Sequence, residues 1–136
     1  MLIFGELFIV RVAGNVISPE VMGSLQYAGA HLHTPLFVVL GHEGCGAVKA
    51  ALEAEYDDRE HRSHIQTLVN NILPGFPNTH SQISPKERLT TAVEAHVRWS
   101  IHQILESPEG RDAINSGIKL VGAVYEIASG HVHLLS

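Results

Sequence analysis

Apolar and polar positions alternate between long-period and unbroken runs along this chain. The segment Leu7 to Val12 is apolar without a helical period, which predicts a buried strand ended by Gly14-Asn15. Ser18-Pro19-Glu20 follows as a helix start, with Ser18 as N-cap and Pro19 at the first helical position. Met22, Leu25, Tyr27-Ala28 and Leu32 give that helix an apolar side to about His33, and Thr34-Pro35 breaks it. A second apolar run, Leu36 to Leu40, predicts another buried strand, and Gly46 to Glu55 another helix.

Asp57 to His61 is a charged bend, and His64 to Leu73 is apolar at helical spacing. Pro74-Gly75-Phe76-Pro77-Asn78 is a breaker segment between helices. Ser84-Pro85-Lys86-Glu87 opens a long helix whose stripe is Leu89, Val93, His96-Val97, Ser100-Ile101 and Ile104-Leu105. A short helix covers Glu109 to Asn115, stopped by Gly117. Ile118 to Glu126 reads as a third strand, and His131 to Leu135 as a short last one after the turn at Ser129-Gly130. This order predicts an α/β fold, a mostly parallel central sheet flanked by helices with an edge strand at the end, and residues 1–136 form a single domain.

Charge and composition narrow the partners. Hydrophobic residues make up 45% and charged ones 17%, so the chain folds around a core rather than staying disordered. A net charge of -5 argues against nucleic acid or an anionic membrane as main partner. No apolar run reaches transmembrane length, and the start lacks a signal peptide's basic region and cleavage site. A single cysteine forbids an internal disulfide and fits a reducing cytoplasm.

That cysteine sits in the most informative stretch, Leu40-Gly41-His42-Glu43-Gly44-Cys45-Gly46-Ala47. A strand runs into it and a helix leaves it, and ligands of open α/β sheets bind at such strand ends. An imidazole and a thiolate placed there suit zinc, and the dipole of the following helix favours the thiolate. From spacing alone the alternative stays open that Cys45 is a buried thiol and His42 a hydrogen-bonded turn residue. Glu43 reads as a solvent-facing carboxylate, His31 and His33 as helix-end caps, and His96 and Trp99 as packing residues. His131 and His133 alternate on one strand face, more in keeping with a surface edge than a metal site.

The same stretch resembles the Gly-His-Ser-x-Cys-Gly-Ala zinc segment of β-class carbonic anhydrases. Further ordered segments resemble that family: Leu7-Phe8-Ile9-Val10-Arg11-Val12-Ala13-Gly14-Asn15, Ser24-Leu25-Gln26-Tyr27-Ala28, and Val121-Gly122-Ala123-Val124-Tyr125-Glu126-Ile127-Ala128-Ser129-Gly130. The resemblance implies zinc as cofactor on His42 and Cys45, a substrate pocket at Phe8, Tyr27 and Gly46, CO2 and bicarbonate as substrates, and a homodimer or higher oligomer. The family's Cys-x-Asp-x-Arg segment, which supplies another zinc cysteine and a catalytic Asp–Arg pair, has no counterpart among these residues. Arg11 matches a different family arginine, so no catalytic residue is assigned. In the family that segment forms a strand between those resembling Leu7–Val12 and Leu36–Leu40, so the first family strand is missing and a gap is expected in the sheet. A two-donor site is expected to hold zinc weakly or with partial occupancy.

Three functions follow as expectations. The first is a carbonic anhydrase homologue with impaired zinc-dependent CO2 hydration, the second a non-catalytic remnant acting as a structural or oligomerising protein. The third is a member acting on CS2 or COS. The coding sequence ahead of Met1 discriminates the first two: an in-frame Cys-x-Asp-x-Arg there restores the enzyme reading.

Overall fold

The structure, a computed structural model, describes residues 5–77 and 83–136. The sheet has three strands, β1 (Leu36–His42), β2 (Lys119–Tyr125) and β3 (Val132–Leu135), in the order β1-β2-β3. β1 and β2 pair in parallel from Leu36 opposite Lys119 to His42 opposite Tyr125. β3 returns antiparallel, with Leu135 opposite Gly122 and Val132 opposite Tyr125. The helices are α1 (Pro19–His31), α2 (Gly46–Asp57), α3 (Ser63–Ile72), α4 (Pro85–Glu106) and α5 (Pro108–Asn115). This is the expected α/β class with a terminal edge strand. The breaker is described as far as Pro77; Asn78 lies outside the described residues.

Two N-terminal caps read from sequence, Ser18 and Ser84, are observed, whereas α1 ends on the Leu32 backbone N–H to Ala28 O and the His31 ring packs on Tyr27. The Ser18 hydroxyl accepts from Val21 N at 3.3 Å. Ser84 and Glu87 form a reciprocal capping box, Glu87 N donating to Ser84 Oγ and Ser84 N to the Glu87 carboxylate. α4 packs across β1 and β2 and buries Ala92, Val93, His96, Val97, Ser100 and Ile104. The sheet meets it with glycine. A Cβ on Gly41 would stand 2.7 Å from Val97 Cγ2, and one on Gly122 2.9 Å from Ile101 Cδ1, so the helix lies closer than any side chain there permits.

α4 also clamps the chain near its start. The turn Ala13–Asn15 has Gly14 at φ 67° and Asn15 at φ 42°. His96, fully buried, holds the Gly14 carbonyl through Nε2 at 2.5 Å. Ser100 Oγ donates to Asn15 O at 3.1 Å, and Asn15 Nδ2 to Ser100 Oγ at 3.2 Å. His96 is therefore a packing residue with a definite partner. Trp99 donates from Nε1 to Asn71 O at 3.0 Å and ties the end of α3 to α4.

Two expectations are corrected. Leu7–Val12 is not a strand: it runs outside the sheet, with Leu7 59% and Ile9 66% exposed. An apolar run becomes a strand only where a neighbour supplies its backbone partners, and among the described residues none does. β1 is buried on one face only. Phe37, Val39 and Gly41 are buried while Leu36, Val38 and Leu40 are 45–47% exposed. The expected gap is therefore an open side: among the described residues β1 is the edge of the sheet opposite β3, and Leu7–Val12 does not pair with it.

Candidate metal centre

β1 ends at His42, Glu43-Gly44 turns with Gly44 at φ 66°, and Cys45 caps the start of α2. Glu43 N donates to Tyr125 O at 2.9 Å, which carries the β1–β2 alignment one residue past the strand and fixes the turn. The His42 side chain is exposed, and its Nδ1 lies 2.9 Å from Glu43 O. A carbonyl only accepts, so Nδ1 carries a proton, and in the neutral imidazole Nε2 then keeps its lone pair. That is how ligating histidines are oriented in metal sites. Cys45 is buried at 3% exposure, among Val48, Ala51, Val69 and Ile72 in the core cluster.

The donor set fits zinc in part. His42 offers a nitrogen and Cys45 a sulfur, from the end of a strand and the start of a helix. Zinc sites use three or four protein ligands. Among the described residues, however, the one convergent group of three His, Cys, Asp or Glu side chains lies elsewhere, at Glu126, His131 and His133. Glu43 is exposed beside the pair.

The expected pocket residues lie on three different segments. Phe8 lies on the irregular segment at 45% exposure, Tyr27 on α1 at 54%, and Gly46 is the exposed first residue of α2. Tyr27 packs against His31, ring centroids 4.8 Å apart. A cavity of about 560 Å³ lies between α1, β1 and α5, and another of about 480 Å³ over Trp99; neither has His42, Cys45, Phe8, Tyr27 or Gly46 in its wall.

Comparison with known proteins decides the family. The carbonic anhydrase family model matches residues 2–132. This chain belongs to the β-class carbonic anhydrase family. It is 34% identical over 137 residues to a carbonic anhydrase of Mycolicibacterium smegmatis, covering 97% of this chain and 64% of that protein. It is 31% identical over 132 residues to carbonic anhydrase 2 of Mycobacterium tuberculosis, covering 96% and 63%. The chain thus spans just under two thirds of the length of these relatives. Among solved structures it is similar to a β-carbonic anhydrase of Sordaria macrospora described as tetrameric, with TM-score 0.84, 24% identity and coverage of 99% and 71%. It is also similar to a Coccomyxa β-carbonic anhydrase in complex with acetazolamide, with TM-score 0.82, 25% identity and coverage of 97% and 62%.

Sequence reasoning found the His42–Cys45 turn but missed two features. The Nδ1 contact that orients His42 depends on a turn conformation that the residue string does not spell out. The convergence of Glu126 on His131 and His133 was hidden because the carboxylate and the imidazoles meet only when the β2–β3 hairpin closes. The turn residues Ser129-Gly130 between them were the available signal.

Proposed function

We propose that these 136 residues keep the carbonic anhydrase fold and a partial zinc site, and that alone they hydrate CO2 slowly or not at all. The observation that carries this reading is the His42–Cys45 pair: His42 has Nε2 free and Cys45 is set at the start of α2, yet no third donor among the described residues converges on them. Zinc bound there supplies Lewis acidity that makes water a nucleophile near neutral pH. His42 and Cys45 would be its ligands, with the Nδ1–Glu43 contact keeping the His42 ring aimed. These residues lack a counterpart of the family's Cys-x-Asp-x-Arg segment, and without its Asp–Arg pair to position substrate and handle protons the rate should fall independently of the metal.

Stopped-flow CO2 hydration beside metal analysis of the same sample tests this. The expected result is sub-stoichiometric zinc and little or no rate. Full zinc occupancy with a brisk rate abolished by His42→Ala would overturn it.

A second reading is supported by the uncovered sheet face: the chain assembles with itself as a structural or oligomerising protein. Leu36, Val38, Leu40, Val132 and Leu134 are apolar, exposed and on one side of the sheet. Contiguous apolar surface of this kind marks an interaction site. A homodimer or higher oligomer in the cytoplasm is the expected state. Among the described residues no helix is long and apolar enough to cross a membrane. Sedimentation showing a stable compact monomer at high concentration counts against assembly.

A further inference from the structure

The hairpin that joins β2 to β3 brings together a carboxylate and two imidazoles that the family reaction does not use. Ligand atoms of Glu126, His131 and His133 all lie within 4.8 Å of one another. His133 Nε2 is 3.6 Å from Glu126 Oε2, and the two imidazole rings meet edge-on with centroids 6.2 Å apart. Tetrahedral zinc with bonds of about 2.1 Å spaces its ligands about 3.4 Å apart. The Glu126–His133 pair is already near that spacing, and exposed His131 needs only a side-chain rotation to join it.

The backbone beneath is held. Glu126 N donates to His131 O at 2.8 Å and Gly130 N to Glu126 O at 2.8 Å, with Gly130 at φ 77°. The Ser129 hydroxyl donates to the Glu126 carboxylate, and His131 N donates to Ser129 Oγ at 3.2 Å. That hydroxyl, with His133 beside it, holds the Glu126 carboxyl below the usual carboxylate range, so its oxygens are ready to ligate.

We propose that Glu126, His131 and His133 form a second metal site, which takes a borderline divalent transition ion such as Zn²⁺, Co²⁺ or Ni²⁺. Two imidazoles with one carboxylate match those ions. Calcium and magnesium ask for an oxygen cage that is not there. With three protein donors on an exposed hairpin the site stays open to water.

It is separate from the His42–Cys45 pair. His42, Tyr125 and Val132 stand in register and share one sheet face. His133 pairs with Val124 and points to the other. Two strand spacings, about 10 Å, also lie between the β1 and β3 ends.

Cobalt(II) titration of the full chain tests the assignment, followed by calorimetry and absorption. In a His42→Ala/Cys45→Ala background the expected result is retained binding of one Co²⁺, with ligand-field bands and no thiolate charge-transfer band. His131→Ala or His133→Ala in that background should weaken binding at least as much as loss of an outer-shell partner does, about 10- to 100-fold. Absence of Co²⁺ and Zn²⁺ binding in the background, or binding indifferent to both histidine changes, overturns the proposal.

Cys45 is buried, so the background variant risks misfolding, and the unaltered chain gives an independent reading. Co²⁺ should broaden the amide signals of Ser129 to His133. Broadening confined to Glu43 to Gly46 is the contrary outcome. Because the first experiment removes His42 and Cys45, its result does not depend on whether the carbonic anhydrase reading survives.

Discussion

The two faces of the sheet are built from equally apolar residues and live in different surroundings. Val39 packs with Val97 and Ile104 of α4 and Phe37 is buried on the same face beside Gly29 of α1, while Leu36, Val38 and Leu40, their neighbours in the same strand, are nearly half exposed. On the α4 side the packing is close enough to demand Gly41 and Gly122. On the other side Val132 and Leu134 extend the uncovered patch, Leu134 at 72% exposure. The contrast teaches that an unbroken apolar strand states how much cover it wants, not how much its own chain provides. Strands of parallel sheets carry apolar residues on both faces because both are normally covered.

The largest expected effect sharpens the contrast. Ile104, 2% exposed under the sheet, should cost about 2–5 kcal/mol when cut to Ala. Leu134→Ala on the bare side should stay within about 0.5 kcal/mol in dilute solution. Urea unfolding of both variants measures the difference, and equal losses would break the comparison. Next comes overpacking. Gly122→Ala puts a methyl 2.9 Å from both Ile101 Cδ1 and Val97 Cγ1, and should cost about 1–3 kcal/mol in the same assay.

The third effect depends on pH. Burial pushes the His96 imidazole below its ordinary value, partly offset by the Gly14 carbonyl. Above about 6.5 the ring is neutral both folded and unfolded, so nothing is lost. Below that value the unfolded chain takes up a proton that the folded chain resists. Stability then falls by up to about 1.4 kcal/mol per pH unit until the lowered folded value is reached. His96→Asn should flatten this part of an unfolding-against-pH profile. An unchanged acid slope would mean another group is responsible.

The smallest effect on stability should be the most telling for assembly. Leu134→Asp on the bare face should leave the dilute chain within about 0.5 kcal/mol of the parent. At high concentration it should shift sedimentation toward monomer. Unaltered self-association would move the interface elsewhere.

Local signals were legible. The Ser18-Pro19 cap, the Ser84–Glu87 box and the His42–Cys45 turn were read from short stretches because their partners lie within a few residues. Leu7–Val12 was misread because strand formation is a bargain between distant segments, and apolarity reports only one side of it. The half-bare state of β1 was illegible for the same reason. His96 was readable as a packing residue, but its partner Gly14, 82 positions away, was not.

The parallel β1–β2 pairing has a consequence for synthesis. β1 leaves the ribosome long before its only partner among the described strands, since β2 begins roughly 80 residues later. At about 5–20 residues per second the nascent strand waits on the order of 4–16 s. Throughout that interval an apolar segment with unpaired backbone is available to any neighbouring nascent chain. Slower translation lengthens that exposure and chaperones shorten it, so both should affect the yield of folded chain.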